Sequence, residues 1–318
     1  FWSFKGFIEE KEKNFEEAFQ CFERSQLNPG YKKCDPKIFE NCIHSYRKNL
    51  DINKFLERKN YKVKNESEPV FLLGFPRSGT TLLDTILRSH PEIDVIEEKP
   101  IIQNIEKIIS SKYKYSLSEI SKLNEDQLKI LREQYLKNLK SYSSKSKKAS
   151  VLIDKFPFNT VCLPLINLLF PNAKIIFTHR NPYDTVLSCF QQAFEPNNAM
   201  AHFRSIESSA KIYNLTMNMW VDYKENLDIK YVLSKYEDLV EDFDTNILKV
   251  LNFLNLKWNK NIKNYRDTAL NREKINTPSS SQVIQPLYKT SIEKWKNYEG
   301  FFENSHVYLE KWRKYFKY

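Results

Sequence analysis

Short hydrophobic runs alternate with stretches of helical spacing along most of this chain. The runs are continuous rather than alternating, as parallel strands covered on both faces require, and they predict strands at 70–73, 93–96, 151–153, 174–178 and 229–233. Apolar residues at i, i+3 or i+4 and i+7 predict helices between them, at about 80–89, 100–111, 124–146, 158–169, 182–194, 203–225 and 242–255. The alternation predicts an α/β fold, a doubly wound parallel sheet flanked by helices.

Residues 1–30 have helical spacing without any strand-like run. Trp2, Gly6, Ala18 and Phe22 stand at the spacing of one tetratricopeptide repeat, in which small residues let two helices approach and large residues fill the gap. One repeat cannot bury its own apolar face. We therefore expect this segment to pack on the next domain or on further repeats, and it is a candidate surface for a protein partner. An ordinary helical hairpin explains the same residues.

A polar, charged connector at 62–69 separates this helical part from the strand-rich part. Two further helices are predicted ahead of the connector, at about 37–49 and 51–58. We therefore place a small all-helical, repeat-like segment at 1–66 and the α/β domain at 67–318.

Composition excludes several classes of protein. With 318 residues, 41% hydrophobic and 14% aromatic, the chain can bury a large core and is not disordered. Its apolar runs are too short to span a bilayer, so we expect no membrane segment. The net charge of +10 comes mostly from scattered Lys, which indicates a solvated surface rather than a nucleic-acid groove.

The five cysteines are odd in number and lack C-x-x-C spacing. We expect neither a metal site nor a disulfide framework, and a reducing, cytoplasmic location is the simplest expectation. The chain begins at Phe1, so we expect a fragment or processed product whose targeting signal is out of view. The pattern predicts no oligomeric state.

The turn after the first predicted strand has the composition of a phosphate-binding loop. Gly74 and Gly79 bracket it, and glycine lets backbone N–H groups converge on an anion. The following helix offers its positive end, and the hydroxyls of Ser78, Thr80 and Thr81 add donors. The nucleotide-triphosphate version of this loop has Lys where this chain has Thr80. We therefore predict a P-loop-like site without magnesium and triphosphate, although a plain strand–turn–helix junction is the alternative.

Two arginines stand out in a chain whose usual cation is Lys. Arg77 lies inside the glycine-bracketed turn, and Arg180 follows the strand predicted at 174–178. A planar guanidinium together with the hydroxyl of Ser188, on the next helix, is a suitable receptor for a second phosphate. Asp184 could instead simply pair with Arg180.

Together these segments resemble those of the sulfotransferases that use 3′-phosphoadenosine-5′-phosphosulfate (PAPS). The resemblance is nearest to bacterial tetratricopeptide-repeat sulfotransferases and protein-tyrosine sulfotransferases, and it covers nearly the whole chain. The matching segments occur in the family's order, at 75–82, 89–91, 97–98, 154–155, 180–182, 236–240, 279–288 and 294–295.

The resemblance implies a role for each matching residue. The donor's 5′-phosphosulfate would be held by Arg77, Ser78, Gly79, Thr80 and Thr81, and its 3′-phosphate by Arg180 and Ser188. The adenosine would be flanked by Tyr236 and a loop that includes Ser280, Gln282 and Val283, with Lys294 adding charge. Catalysis would use Glu98 as general base, with Arg77, Lys155 and Ser279 contacting the transferred group or the bridging oxygen.

The reaction that the resemblance implies is sulfuryl transfer from PAPS to an acceptor hydroxyl by in-line displacement. An attacking hydroxyl must lose a proton, which requires a nearby carboxylate; Glu97 and Glu98 follow a predicted strand, although both could instead be a charge cluster at a helix N-terminus. Tyrosyl peptide, carbohydrate and small-molecule acceptors all stay open. The alternatives are a P-loop kinase or NTPase and a non-catalytic binding module.

Overall fold

The computed structural model describes residues 1–48, 68–143, 149–272, 284–285 and 290–318. Within these ranges the strands form one parallel sheet in the order β2-β3-β1-β4-β5. They are β1 Val70–Gly74, β2 Ile93–Glu97, β3 Val151–Lys155, β4 Lys174–His179 and β5 Lys230–Lys235. Every strand predicted from the apolar runs is present, so the predicted α/β parallel sheet is confirmed.

The helices follow the predicted pattern within a few residues at each end. In the first part of the chain they are α1 Trp2–Lys11, α2 Phe15–Ser25, α3 Pro36–Lys48, α4 Thr80–Arg88, α5 Ile101–Ile108, α6 Glu125–Tyr142 and α7 Leu163–Leu169. They continue with α8 Pro182–Phe190, α9 Ile206–Asn226, α10 Tyr236–Glu241, α11 Phe243–Leu254, α12 Tyr265–Leu270 and α13 His306–Tyr315. A 3₁₀ segment, Lys294–Ser305, precedes the last of them.

Both faces of the sheet are buried, which is why its strands are continuously apolar. On β1, Phe71 and Leu73 belong to one core cluster while Val70 and Leu72 belong to the other. Successive side chains of a strand point to opposite faces, so each face of β1 needs an apolar residue at every second position.

The strand order changes direction at β1, which lies between β3 and β4. The chain leaves β1 toward β2 on one side of the sheet and later crosses to β4 and β5 on the other. In open parallel sheets a crevice forms beyond the carboxyl ends of the strands at such a point. Side chains that follow β1, β3 and β4 are therefore brought to one crevice.

The N-terminal helices pack on the α/β part of the molecule. α1 and α2 approach closely at Gly6, where an added Cβ would lie 2.6 Å from the Phe22 ring. Phe19 stacks on Phe301 at 3.7 Å between ring centroids, and most buried apolar residues of α2 and α3 belong to the same core cluster as those of α8 and α9. The predicted helix at 51–58 and the boundary between 66 and 67 lie outside the described residues, and the repeat-like character of this segment stays a prediction.

Candidate active site

The turn between β1 and α4 is built around its two glycines. A Cβ on Gly74 would lie 2.6 Å from the carbonyl oxygen of Thr178 on the neighbouring β4. Gly79 has a φ of +95°, and a Cβ there would lie 2.9 Å from the Tyr236 ring. Both positions therefore require glycine, one for close strand packing and the other for backbone conformation as well. The backbone can then turn tightly at the start of α4.

Arg77 also adopts a left-handed conformation, with a φ of +68°. Such a conformation is uncommon for a residue with a Cβ and is concentrated at functional sites. Its guanidinium is nearly buried, and its Nε donates to the Ser188 hydroxyl at 2.9 Å. The turn thus places a cation over the helix that follows β4.

The hydroxyl of Ser78 is engaged within the turn itself. It donates to the carbonyl oxygen of Phe75 at 2.7 Å and lies 2.9 Å from the Thr178 hydroxyl. Ser78 therefore contributes to the shape of the loop in this structure. Thr80 and Thr81 are the first two residues of α4 and are nearly buried, where the helix N-terminus favours an anion.

Arg180 meets the β1 turn directly. Its Nη1 donates to the carbonyl oxygen of Arg77 at 3.5 Å, and its Nη2 donates to the carbonyl oxygen of Ser291. The guanidinium that reaches the Ser188 hydroxyl in this structure is that of Arg77, and the expectation that Arg180 and Ser188 together hold a phosphate stays a prediction. Arg77 extends across to α8, while Arg180 turns toward the C-terminal segment. Arg77 and Arg180, the two arginines that stand out in the sequence, lie together in one crevice.

Tyr236, at the start of α10, forms a wall of this crevice. The Arg180 guanidinium carbon lies 4.9 Å from the centre of its ring, within the range of a cation–π contact. The Tyr236 hydroxyl lies 2.8 Å from the Ser291 hydroxyl. The ring is thus fixed between the end of β4 and the segment that begins at residue 290.

One buried donor of Arg180 is unpaired within the described part of the chain. Its Nε is buried and has no hydrogen-bond partner among the described residues. A buried donor left unpaired is costly, and an anionic oxygen would satisfy it. A nucleotide phosphate fits this position, since a guanidinium, a glycine turn and a helix N-terminus converge there.

Asp184 does not form the simple pair with Arg180 that the sequence allowed. Its carboxylate instead accepts from the backbone N–H groups of Glu293 and Trp295, at 2.8 and 2.9 Å. Burial raises the pKa of Asp184, while Arg180 and these two donors oppose the shift. The carboxylate fixes the backbone on both sides of Lys294 against α8.

Lys294 reaches the same region through its side chain. Its Nζ lies 2.6 Å from a carboxylate oxygen of Glu10 and donates to the amide oxygen of Gln191 at 3.0 Å. Burial lowers the pKa of Lys294, and Arg180 and Arg77 lower it further, while Glu10 opposes them. Three cations are therefore within electrostatic reach of one another, as a multiply charged anion requires.

Glu98 and Lys155 form a second centre, at the carboxyl ends of β2 and β3. The fully buried Lys155 ammonium donates to Glu98 at 2.7 Å, and the Glu98 backbone N–H donates to the Lys155 carbonyl at 2.8 Å. The Glu98 side chain is 30% exposed, against 6% for Glu97. Of the two adjacent carboxylates, Glu98 is the one that reaches solvent.

Glu97 is turned inward to Arg272, a residue that the sequence patterns did not single out. The Arg272 Nη2 donates to a Glu97 oxygen at 2.6 Å, and its Nη1 lies 3.9 Å from the buried Asp84 of α4. Lys155 is also 3.5 Å from Glu97. Arg272 follows α12 and lies in no motif. Arg77 and Arg180 stood out because they are Arg in a Lys-rich chain, and the same signal could have identified Arg272.

Several predicted site residues lie outside the described part of the chain: Ser279, Ser280, Gln282 and Val283. Among the residues that the structure does describe, no group of three or more His, Cys, Asp or Glu could hold a metal ion. In the same part of the chain, no helix combines the length and the apolar character needed to cross a membrane.

Comparison with known proteins shows where this architecture belongs. Residues 69–260, more than half of the chain, match the sequence model of the sulfotransferase family. An uncharacterized protein of Aquifex aeolicus is 31% identical over 257 residues, which are 77% of this chain and 33% of the relative. Protein-tyrosine sulfotransferase A of Caenorhabditis elegans is 27% identical over 248 residues, 73% of this chain and 62% of the relative.

These curated relatives are longer than this chain, which spans 33% of the first and 62% of the second. Among solved structures, the sulfotransferase domain of the Synechococcus PCC 7002 olefin synthase has a TM-score of 0.50 and 19% identity, covering 74% of this chain and 89% of that domain. That likeness shows a shared fold. The glycine-bracketed turn, the parallel sheet and the matched sequence model agree, and the chain belongs to the sulfotransferase family.

Proposed function

We propose that this chain transfers a sulfuryl group from PAPS to an acceptor hydroxyl. The observation that carries the proposal is the meeting of the β1 turn with Arg180: the Arg180 guanidinium donates to the Arg77 carbonyl oxygen at 3.5 Å. Two cationic anchors in one crevice suit a nucleotide with phosphates at both its 5′ and 3′ positions. Membership of the sulfotransferase family supports PAPS as that nucleotide.

The donor would lie along the carboxyl ends of β1, β4 and β5. The turn from Arg77 to Thr81 would hold its 5′-phosphosulfate, with the α4 N-terminus adding a favourable field. Arg180 and Ser188 would hold the 3′-phosphate, using the Arg180 Nε that lacks a protein partner among the described residues. Tyr236 would flank the adenosine, and we assign the same role to the loop with Ser280, Gln282 and Val283.

The bound donor supplies an activated sulfuryl group. In the proposed reaction the acceptor oxygen bonds to sulfur, the bond from sulfur to the bridging phosphate oxygen breaks, and adenosine 3′,5′-bisphosphate leaves. Glu98 would accept the acceptor's proton at a carboxylate oxygen. Lys155 would hold that carboxylate and, with Arg77 and Ser279, would offset charge on the transferred group. No metal is required by this arrangement.

The acceptor is proposed only as a class. The name of the Caenorhabditis elegans relative points to tyrosine as its acceptor, so a tyrosyl peptide is the first acceptor to try, before carbohydrate and small-molecule hydroxyls. The five cysteines are unpaired, which fits a reducing compartment, and we propose the cytoplasm. The helical hairpin exposes Phe1, Phe4 and Leu27, and we retain it as a repeat-like candidate surface for a protein partner.

A transfer assay with labelled donor tests the proposal. Protein, sulfur-35 PAPS and EDTA are incubated with a tyrosyl peptide, an oligosaccharide and a simple phenol in separate reactions. We expect label on at least one acceptor and adenosine 3′,5′-bisphosphate in equal amount. If no acceptor class receives label, and if a separate reaction with ATP and magnesium releases phosphate, the chain would instead be a nucleoside triphosphatase.

A further inference from the structure

One carboxylate in the candidate donor site comes from outside the residues that match the family. Glu10 lies in α1, whereas the family match begins at residue 69. One of its oxygens accepts from the Gln191 amide at 2.8 Å and from the Tyr298 hydroxyl at 2.8 Å. Its other oxygen lies 2.6 Å from the Lys294 ammonium. The Glu10 carboxylate is therefore held on three sides and is only 14% exposed.

These contacts orient the Lys294 side chain. An ammonium has three N–H donors, and Glu10 and Gln191 are its hydrogen-bonding partners among the described residues. Asp184 fixes the backbone on either side. A side chain anchored at both its backbone and its tip has few rotamers left, so its remaining N–H points in one direction.

The docking of α1 explains how Glu10 arrives there. Ser3, Phe7 and Glu10 lie at i, i+4 and i+7, on one face of the helix. The Ser3 hydroxyl donates to the Gln191 carbonyl at 3.0 Å, and the Lys294 ammonium lies 5.6 Å from the centre of the Phe7 ring. This whole face of α1 rests on the end of α8 and on Lys294.

The second helix of the hairpin holds α1 in this place. Gln26, just after α2, donates to the carbonyl oxygens of Phe190 and Gln192 at 2.6 and 3.1 Å. Phe19 of α2 packs between the Phe190 and Phe301 rings. The hairpin is thus bound both to α8, which carries Ser188, and to the segment that carries Lys294.

We propose that Glu10 is a positioning residue for donor binding, and that it holds the Lys294 ammonium where it meets the donor's 3′-phosphate. The inference rests on the proposed function and extends it, because it makes the N-terminal hairpin part of the nucleotide site. Arg77, Arg180 and Lys294 against Glu10 and Asp184 leave a net positive charge. A phosphate can therefore still be attracted while Glu10 is present.

Isothermal titration with adenosine 3′,5′-bisphosphate tests this inference on the Glu10→Gln variant. Glutamine has nearly the same shape and can still accept from Gln191 and Tyr298, so the fold should persist, which thermal unfolding checks. We expect binding about fivefold weaker, because the ammonium loses its charged anchor. Glu9→Gln, one residue earlier on α1, is the matched control and should bind like the parent protein.

Two comparisons separate positioning from a merely structural role. Adenosine 5′-monophosphate lacks the 3′-phosphate, so parent and Glu10→Gln should bind it equally. Lys294→Ala and the double variant with Glu10→Gln should bind the bisphosphate equally weakly, because Glu10 acts through Lys294. If Glu10→Gln folds poorly, Glu10→Asp is the substitute, because its shorter side chain keeps the negative charge but holds it farther from the Lys294 ammonium. We expect its affinity for the bisphosphate to lie between those of the parent and Lys294→Ala.

The outcomes distinguish this inference from the proposed function. Unchanged or tighter bisphosphate binding by Glu10→Gln, equal losses for both nucleotides, or additive losses in the double variant would each overturn the role of Glu10 while leaving the donor site intact. A parent protein that binds no adenosine 3′,5′-bisphosphate would overturn the proposed function and this inference with it.

Discussion

Two adjacent carboxylates at the end of β2 have different surroundings. Glu98 has a φ of +48°, which turns its side chain out of the strand's alternation and toward the crevice. Glu97 continues the strand and faces Arg272. The backbone conformation therefore separates one partly exposed carboxylate from one that belongs to a buried ion-pair network.

The first prediction concerns the Glu98→Gln variant. Loss of the proposed proton acceptor should lower kcat about 10²–10⁴-fold, whereas affinity for adenosine 3′,5′-bisphosphate should stay within about twofold. Transfer assays and titration of the same preparation measure the two effects. Parental turnover by Glu98→Gln would remove Glu98 from the mechanism.

Glu97→Gln provides the contrast at the neighbouring position. It leaves Arg272 facing an uncharged amide in a nearly buried site, and breaking a buried pair costs about 3 kcal/mol. Its main effect should be on the free energy of unfolding, measured with urea. A stable Glu97→Gln protein with the kcat loss expected for Glu98→Gln would exchange the roles of the two residues.

A second prediction concerns Asp154, which is fully buried beneath the site on β3 and accepts from the Tyr135 hydroxyl at 2.6 Å. Burial raises its pKa to about 7, from 3.8. Between about pH 4 and pH 7 the folded protein therefore holds a proton on Asp154 that the unfolded chain has released. The stability that this bound proton contributes is lost as pH rises through that range. Between pH 5 and pH 8, the free energy of unfolding should decrease more for the parent protein than for Asp154→Asn. Equal pH dependence in both proteins would contradict the assignment.

At the scale of the elements, the turn after β1 depends on glycine where L-residues are strained. Our third prediction is that Gly79→Ala destabilises the fold by about 1–3 kcal/mol and weakens adenosine 3′,5′-bisphosphate binding. The cause is a φ of +95° together with the 2.9 Å approach to Tyr236. Urea unfolding and titration measure both effects.

Gly300→Ala is the matched control for this prediction. A Cβ at Gly300 would meet nothing within 4 Å, so the variant should change stability by less than about 1 kcal/mol. Equal effects at the two glycines would mean that the turn has no special conformational demand.

The strands and most helices could be predicted because both faces of the sheet must be covered. That requirement makes the strands continuously apolar and the helices amphipathic, so both patterns are visible in the sequence. Helix ends were less predictable: the helix expected at 100–111 ends as an α-helix at Ile108 and passes into a π turn. Such ends depend on tertiary contacts that local spacing does not record.

Residues of the candidate site could be predicted from the sequence only where they belong to a short local motif. The glycine turn and Arg180 were identified because a strand, a turn and a helix follow one another within a few residues. The partners of these residues were not: Ser188 is reached by Arg77, and Glu10 lies 284 residues before Lys294 in the chain. Side-chain partners across such sequence distances are set by packing, which spacing alone cannot specify.

At the scale of the whole molecule, the sheet order brings the ends of separate strands to one crevice. β1 and β4 supply the cationic anchors, β2 and β3 supply Glu98 and Lys155, and Tyr236 follows β5. The N-terminal hairpin packs against the side of the crevice where Lys294 lies. Most of its buried apolar residues belong to a core cluster of the α/β part. In the proposed function, the residues assigned to the donor and to the acceptor would therefore meet at the carboxyl end of one sheet.

The most direct test of this organisation, and our fourth prediction, is calorimetric titration of the chain with adenosine 3′,5′-bisphosphate in EDTA. One nucleotide should bind per chain, and Arg77→Lys and Arg180→Lys should each weaken binding about tenfold or more, because an ammonium cannot reproduce the planar guanidinium fork. No binding by the parent, or affinity untouched by both substitutions, would contradict a nucleotide held between these two arginines.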